Sequence, residues 1–237
     1  MREYTIHPLT VGARETDQGI MTYLRGYGKT IWMGVYAFLI KGAEQNILVD
    51  TGLDQFVVPD HILAEYPNIL DFEESLARFD LSPESIDLII HTHLHNDHCE
   101  NDYKCTNAKI IVQKAEYDFL LNPHPIDYRY FPDLLDGLNV ETVEGDFHLM
   151  DGIDLILTPG HTPGGQSVAV HTSAGLAVIP GFCCNSKNFP ADGPVVAPGV
   201  HTDAIAGFES AQRVRKMADI LIPLHDMEVG KMEKIPA

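Results

Sequence analysis

The sequence predicts an α/β fold held in one domain over residues 1–237. Three observations point there: apolar runs of strand length that end in histidine-bearing turns, intervening segments with helical apolar spacing, and an ordinary globular composition with 45% apolar and 21% charged residues. A chain of 237 residues is long enough for one domain to bury a full core. No repeat of fixed short period, low-complexity tract or interdomain linker divides it.

Taken in order, Val35 to Ile40 and Asn46 to Val49 are β-rich and joined by the polar turn Lys41-Gly42-Ala43-Glu44-Gln45, which predicts an opening hairpin. The second run ends at Asp50-Thr51-Gly52. A carboxylate at the end of a buried strand needs a backbone amide or a histidine ring as partner, so Asp50 is expected to support a site from beneath. Phe72, Leu76 and Phe79 have helical spacing, and Ser82-Pro83-Glu84 opens a short helical turn. Ile86 to Ile90 suits a strand buried on both faces and delivers the chain into His91 to His98. Lys109 to Val112 reads as a strand and Ala115 to Leu121 as a helix. An irregular, proline-rich stretch from Asn122 to about Gly137 follows, a segment able to cover a pocket. Ile153 to Leu157 is strand-like and ends at Thr158-Pro159-Gly160-His161-Thr162-Pro163-Gly164-Gly165, before another strand at Ser167 to Val170. Leu176 to Ile179 leads into Pro180-Gly181-Phe182-Cys183-Cys184, Ala204 to Ala218 is an amphipathic helix, and Ile220 to Pro223 runs into Leu224-His225-Asp226.

The formal charge of −18 sets up a field that repels phosphate backbones and anionic lipid, which excludes nucleic acid and membrane surfaces as partners. A small carboxylate substrate stays compatible, because a pair of bound dications would reverse the sign locally. The N-terminus lacks a basic region followed by an apolar stretch, and no run of about 18 apolar residues occurs, so a cytoplasmic protein is expected. Four cysteines, Cys99, Cys105, Cys183 and Cys184, are too few and too unevenly spaced for a disulfide scaffold and are read as reduced.

Three histidines and one aspartate crowd the six residues His93-Leu94-His95-Asn96-Asp97-His98. Each buried polar group needs a partner, which makes core filling a poor account of four on one loop. Imidazole and carboxylate suit zinc and other borderline divalent metals. His93 and His95, two apart in an extended segment, present both rings to one side, while Asp97 and His98 face a neighbouring position where the chain turns.

Thr92 to His98 resembles the His-X-His-X-Asp-His motif of the metallo-β-lactamase superfamily, and Thr158 to Gly164 is similar to its Thr-Pro-Gly-His-Thr-Pro-Gly turn. Asp50-Thr51-Gly52 and Leu224-His225-Asp226 fall in the order that family shows, so the resemblance spans nearly the whole chain. It implies an αββα sandwich, two mixed β-sheets flanked by helices, with the site on one edge. It also implies two divalent ions, zinc first with iron, manganese or cobalt open: His93, His95 and His161 for one, Asp97, His98 and His225 for the other. Dinuclear hydrolases of the family usually place a bridging aspartate after the strand corresponding to Leu176 to Ile179, where this chain has Gly181-Phe182-Cys183-Cys184. Strand alternation makes Cys183 the candidate replacement, since residues 181 and 183 share a face and Gly181 has no side chain; Cys184 takes the role if a bulge shifts the register. The alternative reading makes both cysteines small buried apolar residues.

Thr92 to Cys99 with Asn101, and Ile111 to Glu116, most resemble the N-acyl-homoserine lactonase group, in which Cys184 falls about where a tyrosine lies near the substrate. The resemblance implies opening of a lactone or related cyclic ester by a metal-bound hydroxide, with Asp97 as the catalytic residue that orients the nucleophile and passes its proton to the leaving group. Another ester, a thioester or a cyclic amide would meet the same chemistry. The missing bridge keeps open a different class, the mononuclear-iron branch that oxygenates glutathione persulfide, although Asp97, His98 and His225 would then be superfluous. A flavodiiron oxidase is disfavoured by His95, where that group has glutamate, and an inactive binding protein by the six retained ligands. A homodimer follows by analogy with the lactonases. Of the remaining residues, His91 is expected to hydrogen-bond beneath the site, His124 and His201 lie in loops that border a pocket, and Trp32 is more often core than pocket wall.

Overall fold

A computed structural model describes residues 1–237. Its strands and helices are β1 (Thr5–Asp17), α1 (Gln18–Met21), β2 (Thr30–Lys41), β3 (Ile47–Val49), α2 (Asp60–Glu65), α3 (Phe72–Ala77), β4 (Leu88–Ile90), α4 (Asn96–Cys99), β5 (Lys109–Gln113), α5 (Lys114–Leu121), β6 (Asn139–Val143), β7 (Phe147–Met150), β8 (Ile153–Leu157), β9 (Gln166–Thr172), β10 (Gly175–Ile179), α6 (Ala204–Met217) and β11 (Ile220–Leu221). They form two mixed sheets, one ordered β1-β2-β3-β4-β5-β6 and the other β11-β10-β9-β8-β7. In the first, β1, β2 and β3 pair antiparallel and β3 to β6 parallel. In the second, only β10 and β11 pair parallel.

Alternation along the strands decides what each face buries. Phe38, Ile40, Ile47, Val49, Ile90 and Ile111 turn one face of the first sheet into a core shared with Leu155, Val168, Val170, Ala177 and Ile179 of the second. The residues between them, Leu39, Leu48, Ile89 and Ile110, pack outward against Phe72 and Leu76 of α3. Ala211 and Val214 of α6 join the shared core. This is the expected layering, helices outside two packed sheets. The hairpin of β2 and β3 pairs Phe38 with Val49, as the polar turn predicts. The parallel strands β3 and β4 end side by side, with Val49 opposite Ile90. Asp50 and the histidine loop therefore leave the sheet at one edge, and the turns after β8 and β10 and the segment after β11 return to that edge.

Candidate metal centre

Asp50 leaves β3 with a left-handed backbone, φ 58°, a conformation that aspartate tolerates better than most residues. Its fully buried carboxylate accepts from Thr92 N at 2.8 Å, Thr92 Oγ1 at 2.7 Å and His98 Nδ1 at 2.7 Å, with His91 Nδ1 at 3.3 Å. Burial pushes this carboxyl up, but His98 and His91 outweigh it and hold it well below the usual carboxylate range. His91 spans two carboxylates, its Nε2 lying 2.7 Å from Asp102. Burial pushes its ring down, yet Asp102 and Asp50 carry the net effect up to about 10, so it sits beneath the site as a cation. Asp50 supports the histidine loop, the role expected of it.

The loop then presents its donors. His93, His95 and His161 offer ligand atoms all within 4.8 Å of one another, and Asp97, His98 and His225 do the same. Each imidazole has its other nitrogen occupied. His93 Nδ1 donates to Thr92 Oγ1 at 3.0 Å, whose own hydroxyl proton goes to Asp50, and His95 Nε2 donates to Asp127 at 3.0 Å. His161 Nδ1 donates to Val200 O at 2.7 Å and His225 Nδ1 to Gly34 O at 2.9 Å. Such outer bonds fix the tautomer and leave one lone pair per ring aimed inward. Accordingly His93 Nε2 and His98 Nε2 are buried with no hydrogen-bond partner in the protein. Two orphaned buried nitrogens are costly unless something accepts their lone pairs, so the donor set fits divalent metal.

Electrostatics agree. Burial and the neighbouring imidazoles push His93 and His161 far below the ordinary histidine value, and burial carries His95 down and His225 down to about 4. Neutral rings are the ligating form. His98 moves the other way, since Asp50 and Asp97 outweigh its burial. Asp97 is pushed up by burial but held well below the carboxylate range by His98 and His225, so it is ionised at neutral pH.

Cys183 joins neither donor group. Its Sγ faces Met21 Sδ at 3.3 Å, in a small apolar cluster with Met33, Val35 and Leu53, and burial pushes its thiol up to about 12. Alternation holds along this segment: Phe182 and Cys184 enter the core between the sheets while Cys183 turns the other way, to the cavity wall. Cys184 is fully buried and its Sγ accepts from Leu224 N at 3.4 Å, out of reach of the cavity. At position 181 a side chain is sterically excluded, since an added Cβ would lie 2.2 Å from Gln166 O.

The cavity above the donors measures about 250 Å3 and is walled by Ile20, Met33, Ile126, Tyr128 and Val200. Ile126 to Arg129 come from the irregular stretch that was expected to cover a pocket. His124 and His201 do not line it; their Nδ1 atoms accept from Ile126 N and contact Pro198 O. Trp32 packs in a separate apolar cluster with Ile62 and Ile69. Arg14, Asp127 and Arg129 line the cavity and escape sequence reasoning, because single charged residues on distant segments carry no local pattern. Glu116 escapes it too. Fully buried on α5, it accepts from Leu94 N and Gly164 N at 3.0 Å and from Tyr130 Oη at 2.6 Å, tying the two histidine turns together. Gly164 is required for that approach, since a Cβ there would lie 2.2 Å from Glu116 N.

Comparison with known proteins identifies the family and the fold. The family model described as metallo-beta-lactamase superfamily matches residues 30–181. An N-acyl homoserine lactonase from Bacillus thuringiensis is 32% identical over 164 residues, and the chain spans 64% of the length of that relative, with 64% of its own length matched. A probable metallo-hydrolase from Methanocaldococcus jannaschii is 28% identical over 193 residues, covering 81% of this chain and 82% of that protein. Among solved structures, an N-acyl homoserine lactone hydrolase with the product N-hexanoyl-L-homoserine at its catalytic metal centre superposes with a TM-score of 0.78 at 25% identity, covering 98% of this chain and 96% of that one. A quorum-quenching N-acyl homoserine lactone lactonase superposes with a TM-score of 0.76 at 28% identity, over 96% of this chain and 94% of that one.

Proposed function

The chain belongs to the metallo-beta-lactamase superfamily, and from that premise we propose that it is a metal-dependent hydrolase that opens a lactone or related cyclic ester. The observation that carries the reading is the pair of three-residue donor groups with the Nε2 atoms of His93 and His98 buried and unpartnered. His93, His95 and His161 would hold one divalent ion and Asp97, His98 and His225 a second, zinc being the first choice for such donors. Divalent ions bound there would supply Lewis acidity, polarising the ester carbonyl and making water acidic enough to attack near neutral pH. The likeness to N-acyl homoserine lactonases supports a cyclic ester as substrate.

The protein's own part in the reaction falls to Asp97. Ionised and on the cavity floor, it takes a proton from the attacking water as the bond from water oxygen to carbonyl carbon forms. It returns that proton to the alkoxide as the ring carbon–oxygen bond breaks, leaving a hydroxy acid. At neutral pH the new carboxylic acid ionises, so each turnover releases one proton. The outer hydrogen bonds that the rings donate to Asp50, Asp127, Val200 and Gly34 hold them rigid throughout. A charge of −18 supports a small-molecule substrate in place of nucleic acid or membrane. No helix is long and apolar enough to cross a membrane. Four free, buried cysteines support a cytoplasmic location.

A panel of lactones, thioesters and cyclic amides followed by proton release tests the proposal. Lactone opening that disappears with chelation is the expected result. Absence of hydrolysis across the panel, together with one iron per chain, would move the persulfide oxygenase chemistry to first place.

A further inference from the structure

The cavity over the donor groups is lined by two arginines and no lysine. Arg129 is fixed: its Nε and Nη2 donate to Asp127 at 2.7 and 2.6 Å, and the same carboxylate accepts from His95 Nε2 at 3.0 Å. Burial pushes Asp127 up, but His95 and Arg129 hold it far below the usual carboxylate range, so that acid is fully engaged. Nη1 of Arg129 has no partner in the protein. Arg14 is exposed on β1, and its guanidinium forms no hydrogen bond or ion pair within the protein.

The chain carries 34 acidic residues against 16 basic ones, and Arg14 is one of several basic residues that no carboxylate engages; its place on the cavity wall sets it apart. Of the carboxylates lining the cavity, Asp127 is taken and Asp97 lies in a donor group, its acidity strengthened by Arg14 after His98, His225 and His95. Glu15 remains, next along β1, without a cation within ion-pair reach. With divalent ions held by the donor groups on its floor, the field that a ligand meets in the cavity would be positive. A guanidinium is planar and presents paired donors matched to a carboxylate.

We propose that Arg14, helped by the free Nη1 of Arg129, binds a carboxylate carried by the substrate, so that the ester opened at this centre belongs to an anionic molecule. The proposal rests on the hydrolase reading and narrows its substrate class. Cavity size points the same way. About 250 Å3 falls below the roughly 300–1,000 Å3 common for drug-sized ligands, which favours a small charged lactone over one with a long acyl chain. Ile20, Met33, Ile126 and Val200 provide the apolar wall for its carbon skeleton.

The test compares a γ-lactone bearing a carboxylate with the same lactone bearing a neutral carboxamide, on metal-loaded wild type, Arg14→Gln and Arg14→Lys. Wild type is expected to prefer the acid by at least about 10-fold in kcat/KM, and Arg14→Gln to lose that preference through KM, with partial recovery in Arg14→Lys. Equal rates for acid and amide in wild type, or an unchanged preference in Arg14→Gln, would overturn the carboxylate site while leaving the hydrolase reading intact. If neither lactone is opened, the hydrolase reading fails separately, and glutarate titrated into the metal-loaded protein decides the site. Binding weakened about 10-fold by Arg14→Gln supports it, and equal binding in both proteins removes it.

Discussion

The loops that follow β4 and β10 both leave a sheet at the edge where the cavity lies, yet only the first delivers side chains grouped so that they could hold a metal ion. After β4, every ring that points inward is gripped from behind: His93 by Thr92, His95 by Asp127, His98 by Asp50. After β10, Cys183 reaches the cavity wall with a methionine sulfur and aliphatic side chains for neighbours, and its thiol is pushed up to about 12. A side chain at a strand end becomes a ligand when its surroundings stabilise the ligating form and fix its direction. Position alone is insufficient, and here the polar support accumulates on one loop and is missing from the other.

Breaking the first loop directly has the largest expected effect. His98→Ala removes a donor and leaves Asp50 facing a void, and should cost an ion per chain and about three orders of magnitude or more in kcat/KM, read by elemental analysis and steady-state kinetics. Asp50→Asn keeps the shape but removes the charge that holds His98, Thr92 and His91. Metal affinity should fall by about 10- to 100-fold in a chelator competition, with all six ligands still present. An unchanged affinity would show that the support beneath the loop is dispensable. On the second loop, Gly181→Ala forces a Cβ against the Gln166 backbone at 2.2 Å and should destabilise the fold by about 1–3 kcal/mol. A melting temperature lower by several degrees checks it, with metal content per folded chain maintained. The smallest effect belongs to Cys183→Ala, which should leave the metal count unaltered. In wild type the Cys183 thiol should alkylate slowly at pH 8, about four units below its pKa and so almost entirely protonated. Loss of an ion in this variant would erase the contrast between the loops.

Sequence patterns exposed this comparison only in part. Apolar runs marked the hairpin of β2 and β3, then β4, β5, β8, β9, β10 and α6, because strands buried on a face and an amphipathic helix carry their own periodicity. The longest strand, β1, left no such mark: Pro8, Gly12, Arg14 and Glu15 interrupt its pattern, and its pairing with β2 is what makes it a strand. β6 carries little apolar signal because three of its five residues are exposed, and β7 is only four residues long, too short for alternation to stand out. His93 to His98 was legible because its donors are neighbours in sequence, and His161 and His225 because each sits in a recognisable turn. Alternation correctly turned Cys183 away from Phe182 and Cys184, but it carries no information about Met21, which comes from α1 and occupies the space in front of the sulfur. Asp127, Arg129 and Arg14 meet the cavity through tertiary folding alone.

The most direct test of the account is the metal stoichiometry of wild type beside His161→Ala and His225→Ala, one variant from each donor group. Two ions per chain in wild type, with about one retained in each variant, is the predicted result. A single ion in wild type that either substitution abolishes would contradict it, showing one centre where two are claimed.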